Sequence, residues 1–187
     1  MKQARRLVEE AKSAEFTDQS FQQVTRLLDQ ADTAYGRVLE LRVSPQEYGI
    51  PVQDIAHLSL GNARWLRGVA LQINNQPELA GEAFQEAIQI LNQTLPAFQD
   101  SGLSRYLAQN RQFLGNAYQW SGNLSESTGD YPAAIQAYQQ ALEQLDACLA
   151  LGENSPDRII QSEIVEANCK PMHQQVEERL QVLSGGP

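Results

Sequence analysis

The feature that most constrains the fold is an internal repeat with a spacing of 54 residues. Residues 60–91 align with residues 114–145 without a gap, and 10 of the 32 aligned positions are identical. Both segments begin with Leu-Gly-Asn-Ala, and Gly68 of the first aligns with Gly122 of the second. A repeat of this length cannot bury its apolar side chains alone, so neighbouring repeats must stack against each other. The chain is therefore predicted to be a stack of similar units.

The units are predicted to be helical, because apolar residues recur every three to four positions along the chain. Composition agrees: Leu, Ala, Gln and Glu number 22, 21, 24 and 15 of the 187 residues, whereas Val and Ile together number 18. The first four residue types favour helices, and Val and Ile favour strands. We therefore predict an all-α fold, with helices at about 2–15, 18–43, 52–73, 77–98, 103–120, 131–151 and 155–183.

Several residues mark the ends of these helices. Thr17 or Asp18 is expected to cap the second helix, and Asp130 the sixth, because their side chains accept hydrogen bonds from free backbone amides. Pro77 suits a first helical position, where no amide donor is needed. Pro171 lies inside the last helix, where we expect a kink or break.

The predicted helices pair into antiparallel hairpins within a single domain. Hairpins are expected at about 2–43, 52–98 and 103–151, a capping helix at 155–183 closes the stack, and 184–187 is a flexible tail. Small residues in the repeat let the two helices of a hairpin approach closely, and an aromatic residue fills the space beside them. The small residues are Gly61, Gly115, Ala80 and Ala134, and the aromatic residues are Phe84 and Tyr138.

The second repeat carries "LGNAY" at 114–118 and "GDYPAAIQAYQQAL" at 129–142, and it resembles a tetratricopeptide repeat. The resemblance implies a right-handed α-solenoid of antiparallel hairpins. Two departures stand out: Arg64 replaces the usual aromatic residue in the first repeat, and both repeats have seven extra residues after the Leu-Gly pair. Seven residues make about two helical turns. We expect them to lengthen a helix in the first repeat and, given their Ser and Gly content, to form a protruding loop at 120–130 in the second.

The resemblance also implies a function, because this family binds peptides or protein segments in a concave groove lined by the first helix of each hairpin. Carried over by motif position, Asn62 and Asn116 face the groove and donate side-chain amides to a bound backbone. A solvated helix face is the alternative for both. The remaining residues expected to line the same surface are Leu58, Trp65, Gln112 and Gln119.

Two further features have competing interpretations. Some family members clamp a terminal carboxylate with Lys or Arg three residues before the Gly of the Leu-Gly pair, where this chain has Leu58 and Gln112. The nearby arginines that could supply this charge instead are Arg64, Arg67, Arg105 and Arg111. The favoured interpretation is that these arginines are solvated or ion-paired. Trp65 and Trp120 could anchor a partner, although a tryptophan on a helix is more often part of the core.

Charge argues against a nucleic-acid partner, because 14 Lys and Arg against 23 Asp and Glu leave a net charge of -9. The whole excess lies in residues 71–187, which carry 5 basic and 14 acidic side chains. This part of the chain favours a partner with a basic patch. No run of 18 apolar residues occurs, and the first residues are charged, so we expect no membrane insertion and no export signal.

The cysteines and histidines predict no cofactor or metal. Cys148 and Cys169 lie 21 residues apart without a CxxC motif, so neither a disulfide framework nor a zinc site is indicated. We expect a cytoplasmic protein in which Cys148 is a buried, inert thiol. His57 and His173 are 116 residues apart, and only Asp54 stands near the first as a further ligand.

Together these patterns favour a non-catalytic scaffold or adaptor that binds a segment of another protein. Motifs for phosphate binding, for a GxSxG nucleophile and for an HExxH metal site are all missing from the sequence. Two alternatives stay open. The chain could be a regulatory or sensor domain that binds a small peptide, or an assembly factor that docks on a multi-subunit complex or associates with itself.

Overall fold

The computed structural model describes residues 17–41, 51–153 and 155–185, which are mostly helical and contain no strand. The all-α prediction is therefore confirmed. The helices are α1 (Asp18–Glu40), α2 (Val52–Ile73), α3 (Pro77–Asp100), α4 (Ser104–Ser127), α5 (Tyr131–Glu153), a π-helical segment (Ile160–Cys169) and α6 (Lys170–Ser184). The predicted helix at 2–15 lies outside the described residues.

The helix starts follow the capping signals of the sequence. The Thr17 hydroxyl accepts the Ser20 amide at 3.2 Å and caps α1, and the Asp130 carboxylate accepts the Ala133 amide at 3.2 Å and caps α5. Pro77 is the first residue of α3. These three predictions are confirmed because each cap is a local interaction that depends on its own few residues.

The chain divides into two compact units, Met1–Thr94 and Leu95–Pro187. Each unit contains one of the two repeats: α2 packs against α3 in the first unit, and α4 packs against α5 in the second. In the first unit α1 also packs on α2, and in the second the π-helical segment and α6 pack on α5. The prediction of a single domain over 1–183 stays a prediction.

Glycines bring the helices of each hairpin into close contact. A Cβ atom on Gly68 would lie 2.4 Å from the Phe84 ring, and one on Gly122 would lie 2.7 Å from the Tyr138 ring. Real Cβ atoms do not approach other atoms so closely, so each ring fills the space that a larger residue would need. A Cβ atom on Gly61 would likewise lie 2.7 Å from Leu91 Cγ. The close approach predicted from the repeat is thereby confirmed.

The loop predicted at 120–130 does not form, because α4 continues to Ser127. The seven extra residues lengthen the helix by about two turns, as was expected only for the first repeat. The added turns make contacts of their own: the Tyr138 hydroxyl lies 2.7 Å from Asn123 Oδ1 and 2.9 Å from Glu126 Oε2. These tertiary contacts outweigh the weak helix preference of Ser and Gly. The turn is confined to residues 128–130, where Gly129 has φ of 82°.

Arg179 of α6 joins this polar cluster by donating from Nε to Glu126 Oε2 at 2.8 Å. The hydrogen bond from Arg179 lowers the pKa of Glu126 below its ordinary value of 4.5. A carboxylate with a lowered pKa stabilises the folded state above its unfolded pKa, and that contribution is lost as the pH falls through the folded pKa. The cluster therefore connects α4, α5 and α6 at neutral pH.

Replacing Tyr138 by Phe is expected to lower the free energy of unfolding by about 1 kcal/mol, because Asn123 and Glu126 lose the hydroxyl that donates to them while the ring stays in place. Urea denaturation measures the change. Tyr131→Phe is the matched control, since Tyr131 lies on the same helix and is 54% exposed. Equal effects of the two substitutions would contradict a stabilising role for the Tyr138 hydroxyl.

Cys148 and Cys169 form a disulfide, with their Cα atoms 6.4 Å apart. The prediction of unpaired cysteines was wrong. A separation of 21 residues in sequence says nothing about distance when the chain turns back, and here the π-helical segment returns along α5 and places Cys169 beside Cys148. The expectation of a cytoplasmic location therefore loses one of its supports, because it relied on unpaired thiols, which are typical of a reducing compartment.

The helix predicted at 155–183 changes type along its length. The π-helical segment spans Ile160–Cys169, and Pro171 follows at the start of α6. Proline lacks an amide donor and its ring clashes with the preceding turn of an α-helix, which the wider π turn relieves. The buried residues of the segment recur at intervals of four or five rather than three or four; they are Ile160, Ile164, Val165 and Cys169. No break occurs at Pro171: the helix continues through it and changes from π to α type between Cys169 and Lys170.

Candidate partner-binding surfaces

The predicted partner-binding residues of the second unit lie on one face of α4. Gln112 and Asn116 are one helical turn apart, and their side chains are 3% and 2% exposed. Asn116 Oδ1 and Gln112 Nε2 are buried, and neither atom has a hydrogen-bond partner among the described residues. Gln119, the next predicted residue on this helix, is half-buried. Two buried polar atoms without hydrogen-bond partners among the described residues therefore belong to side chains one helical turn apart on α4.

Asn62 occupies the equivalent position on α2 of the first unit. It is half-buried, and its Oδ1 atom is buried without a hydrogen-bond partner in the part of the chain that the structure describes. Asn62 and Asn116 are 54 residues apart, the spacing of the repeat. Each hairpin thus carries a side-chain amide with an unused acceptor at the same motif position.

Leu58 and Trp65 of α2 were predicted to supply the apolar part of the binding surface. Both side chains are 3% exposed and belong to the buried core. The buried position of Trp65 matches the alternative of a core tryptophan, whereas Trp120 is half-buried. Since neither Leu58 nor Trp65 presents apolar surface to solvent here, their contact with a partner stays a prediction.

The arginines of the first unit are paired within the chain. Arg64 contacts Asp32 at 3.0 Å and Glu86 at 3.2 Å, and Arg67 contacts Asp32 at 3.0 Å and Asp29 at 2.5 Å. Burial raises the pKa of Asp32, although both arginines oppose this shift. The ion-paired alternative therefore describes Arg64 and Arg67, whose charges are already compensated.

An apolar pocket of about 220 Å³ lies beside these ion pairs. Its apolar wall comes from three described helices of the unit: Phe21 of α1, Leu71 of α2 and Leu79 of α3 contribute to it. Leu79 is 50% exposed. Sequence analysis did not single out this pocket, because its wall is assembled from three separate helices.

The histidines and acidic residues that the structure describes do not assemble a metal site. Within residues 17–41, 51–153 and 155–185, no group of three or more His, Cys, Asp or Glu side chains could hold a metal ion. His173 Nε2 lies 2.9 Å from Asp146 Oδ1, a contact between two side chains on α6 and α5. No helix in these ranges has the length and hydropathy that crossing a bilayer requires.

Comparison with known proteins gives one match. The family model described as the tetratricopeptide repeat matches residues 115–144. The match begins at Gly115 of the Leu-Gly pair and covers the second half of α4 and the first part of α5, so it falls on the second repeat. Neither the curated proteins nor the solved structures include a significant match to the chain.

Proposed function

Because this chain carries a tetratricopeptide repeat, a module of protein–protein interaction, we propose that it is a non-catalytic scaffold or adaptor that binds a segment of another protein. The segment binds along the first helix of a hairpin, on the faces of α2 and α4 that carry Asn62 and Asn116. A bound backbone offers both amide donors and carbonyl acceptors, which a side-chain amide can pair with in either orientation.

The observation that supports this proposal is the unused hydrogen-bonding capacity of these amides. A buried polar atom without a partner costs about 1 to 3 kcal/mol of stability. Asn62 and Asn116 each carry such an atom at the same position of two repeats, and Gln112 adds a third one turn away. Because these atoms are buried, the side chains have to turn outward before a partner backbone can pair with them and recover this cost.

The charge of the chain supports a partner with a basic patch. Residues 71–187 carry 14 acidic and 5 basic side chains, and this range includes the whole second unit. Long-range attraction of a basic segment raises its association rate and falls as salt screens the charges. We therefore expect binding to weaken with added salt, whereas self-association through an apolar face would not.

Substituting Asn62 and Asn116 by Ala is expected to reduce retention of a partner in a pull-down from native lysate. Each lost hydrogen bond lowers the affinity by roughly two- to tenfold. The fold is expected to be as stable as before or more stable, because the Asn116 substitution removes a buried atom that has no partner among the described residues. The retained proteins are identified by mass spectrometry and the stability by thermal denaturation.

The matched control is the double substitution of Gln85 and Gln139 by Ala. These glutamines are also equivalent in the repeat, but they are exposed and lie on the second helix of each hairpin. The proposal requires that this variant retain the partner that the asparagine variant loses. Retention of the same partner by both folded variants would show that binding uses another surface. The two single asparagine variants then report on each unit separately.

A further inference from the structure

The second unit contains a cavity that the proposed function does not use. Its volume is about 490 Å³, within the range typical of small-molecule sites. It lies between α4 and α5, beside the end of α3 and the start of the segment that leads to the π-helix. Arg111 is the one charged residue among those that line it.

Arg111 differs from Arg64 and Arg67 because no described carboxylate forms an ion pair with it. Its guanidinium is half-buried and donates a hydrogen bond from Nη1 to Oε1 of Gln144, a neutral side chain. Burial lowers the pKa of Arg111, and the charge of Glu143 opposes this only in part. By contrast, Arg64 and Arg67 each contact two carboxylates. Arg111 is therefore a partly desolvated cation that lacks a direct counter-ion.

The walls of the cavity combine an apolar lining with polar groups at one side. Aliphatic surface comes from Leu107, Ala147 and Leu151, and the polar groups are those of Ser104 and Gln99. Ser104 is the first residue of α4, whose amino terminus has no side-chain cap. Seven residues, about 10 Å of helix, separate Ser104 from Arg111, so Arg111 alone supplies the positive charge that faces this cavity.

We propose that this cavity binds a small apolar molecule that carries one carboxylate, with the carboxylate paired to Arg111 and the hydrocarbon part against the aliphatic wall. The charge balance selects this class. One cation compensates one negative charge, whereas a phosphate dianion would keep an uncompensated charge on a chain of net charge -9. A neutral molecule would fill the cavity but leave Arg111 without a counter-ion.

Isothermal titration calorimetry with octanoate tests the proposal, with octan-1-ol and octylamine as neutral and cationic molecules of the same chain length. We expect saturable binding of octanoate and at least tenfold weaker binding of the other two. Arg111→Gln is expected to weaken octanoate binding at least tenfold, because hydrogen bonds between ionised groups are the strong ones. Arg105→Gln is the matched control: Arg105 lies on the same helix, is exposed and does not line the cavity.

A second variant guards against loss of the fold on removing Arg111. Ala147→Leu adds three carbon atoms to the cavity wall without changing any charge, and it is expected to weaken octanoate binding to a similar extent. Circular dichroism verifies that each variant is folded. Absence of octanoate binding to the wild type would overturn the proposal. So would equal binding of octanoate and octan-1-ol, or folded Arg111→Gln or Ala147→Leu protein with wild-type affinity.

Discussion

Reducing the Cys148–Cys169 disulfide is expected to lower the free energy of unfolding of the second unit by about 3 kcal/mol. The two cysteines are 21 residues apart, and closing a loop of that length restricts the unfolded chain much more than the folded one. Urea denaturation followed by circular dichroism, with and without a phosphine reductant, measures the difference. The chain has no other cysteine, so the reductant acts on one bond only.

The control for this experiment is the double substitution Cys148→Ala and Cys169→Ala. Its unfolding is expected to be the same with and without reductant and to resemble that of the reduced wild type. Mass spectrometry after alkylation establishes whether the bond is closed before each measurement. A wild-type protein with a closed bond and an unchanged urea midpoint in reductant would contradict a stabilising role for the disulfide.

Replacing Gly68 by Ala is expected to destabilise the first unit by about 2 kcal/mol, although Ala favours helices more than Gly does. The new Cβ atom would lie 2.4 Å from a ring carbon of Phe84. Phe84 is fully buried, so the ring cannot move away without disturbing its other neighbours. Thermal denaturation measures the effect.

The same substitution at Gly36 is expected to have the opposite sign. Gly36 also lies inside a helix, α1, but no described atom comes within 4 Å of the position of a new Cβ. Helix preference alone then decides the outcome, and the substitution should stabilise the protein by about 0.5 to 1 kcal/mol. A stabilising Gly68→Ala, or two changes of the same sign, would show that the Gly68 and Phe84 contact does not limit the packing of the hairpin.

The sequence predicted that Phe84 and Tyr138 fill the space between closely packed helices, but it assigned the close approach to Gly61 and Gly115 and only aligned Gly68 with Gly122. A pair of positions that recurs at a fixed spacing reports on packing inside the repeated hairpin. The helix starts were predictable for a different reason, since a cap such as Thr17 interacts only with its immediate neighbours.

Features that depend on tertiary contacts were not predictable in this way. Local composition favoured a loop at 120–130, but Asn123 and Glu126 contact Tyr138 and keep the segment helical. The disulfide depends on the return of the chain along α5, which no spacing in the sequence reveals. The π-helical segment did leave a signal, because its buried residues are spaced by four and five positions.

The candidate site likewise combines features that the motif predicted with features that depend on tertiary packing. Motif position selected Asn62, Asn116 and Gln112, and their role in partner binding stays a prediction; each has a buried polar atom without a partner among the described residues. Motif position could not tell that Leu58 and Trp65 are buried in the core, because burial depends on what packs over each helix face. The cavity beside Arg111 was also beyond reach, since residues distant in sequence line it.

The disulfide also changes what proteolysis can do to this protein. Residues 155–157 lie between α5 and the π-helical segment and are not helical, and a cut there falls inside the loop that Cys148 and Cys169 close. The piece that carries α6 would stay covalently attached after such a cut. Release of this helix from the rest of the chain therefore requires two chemical events, hydrolysis of a peptide bond and reduction of the disulfide, and either one alone leaves the two pieces connected.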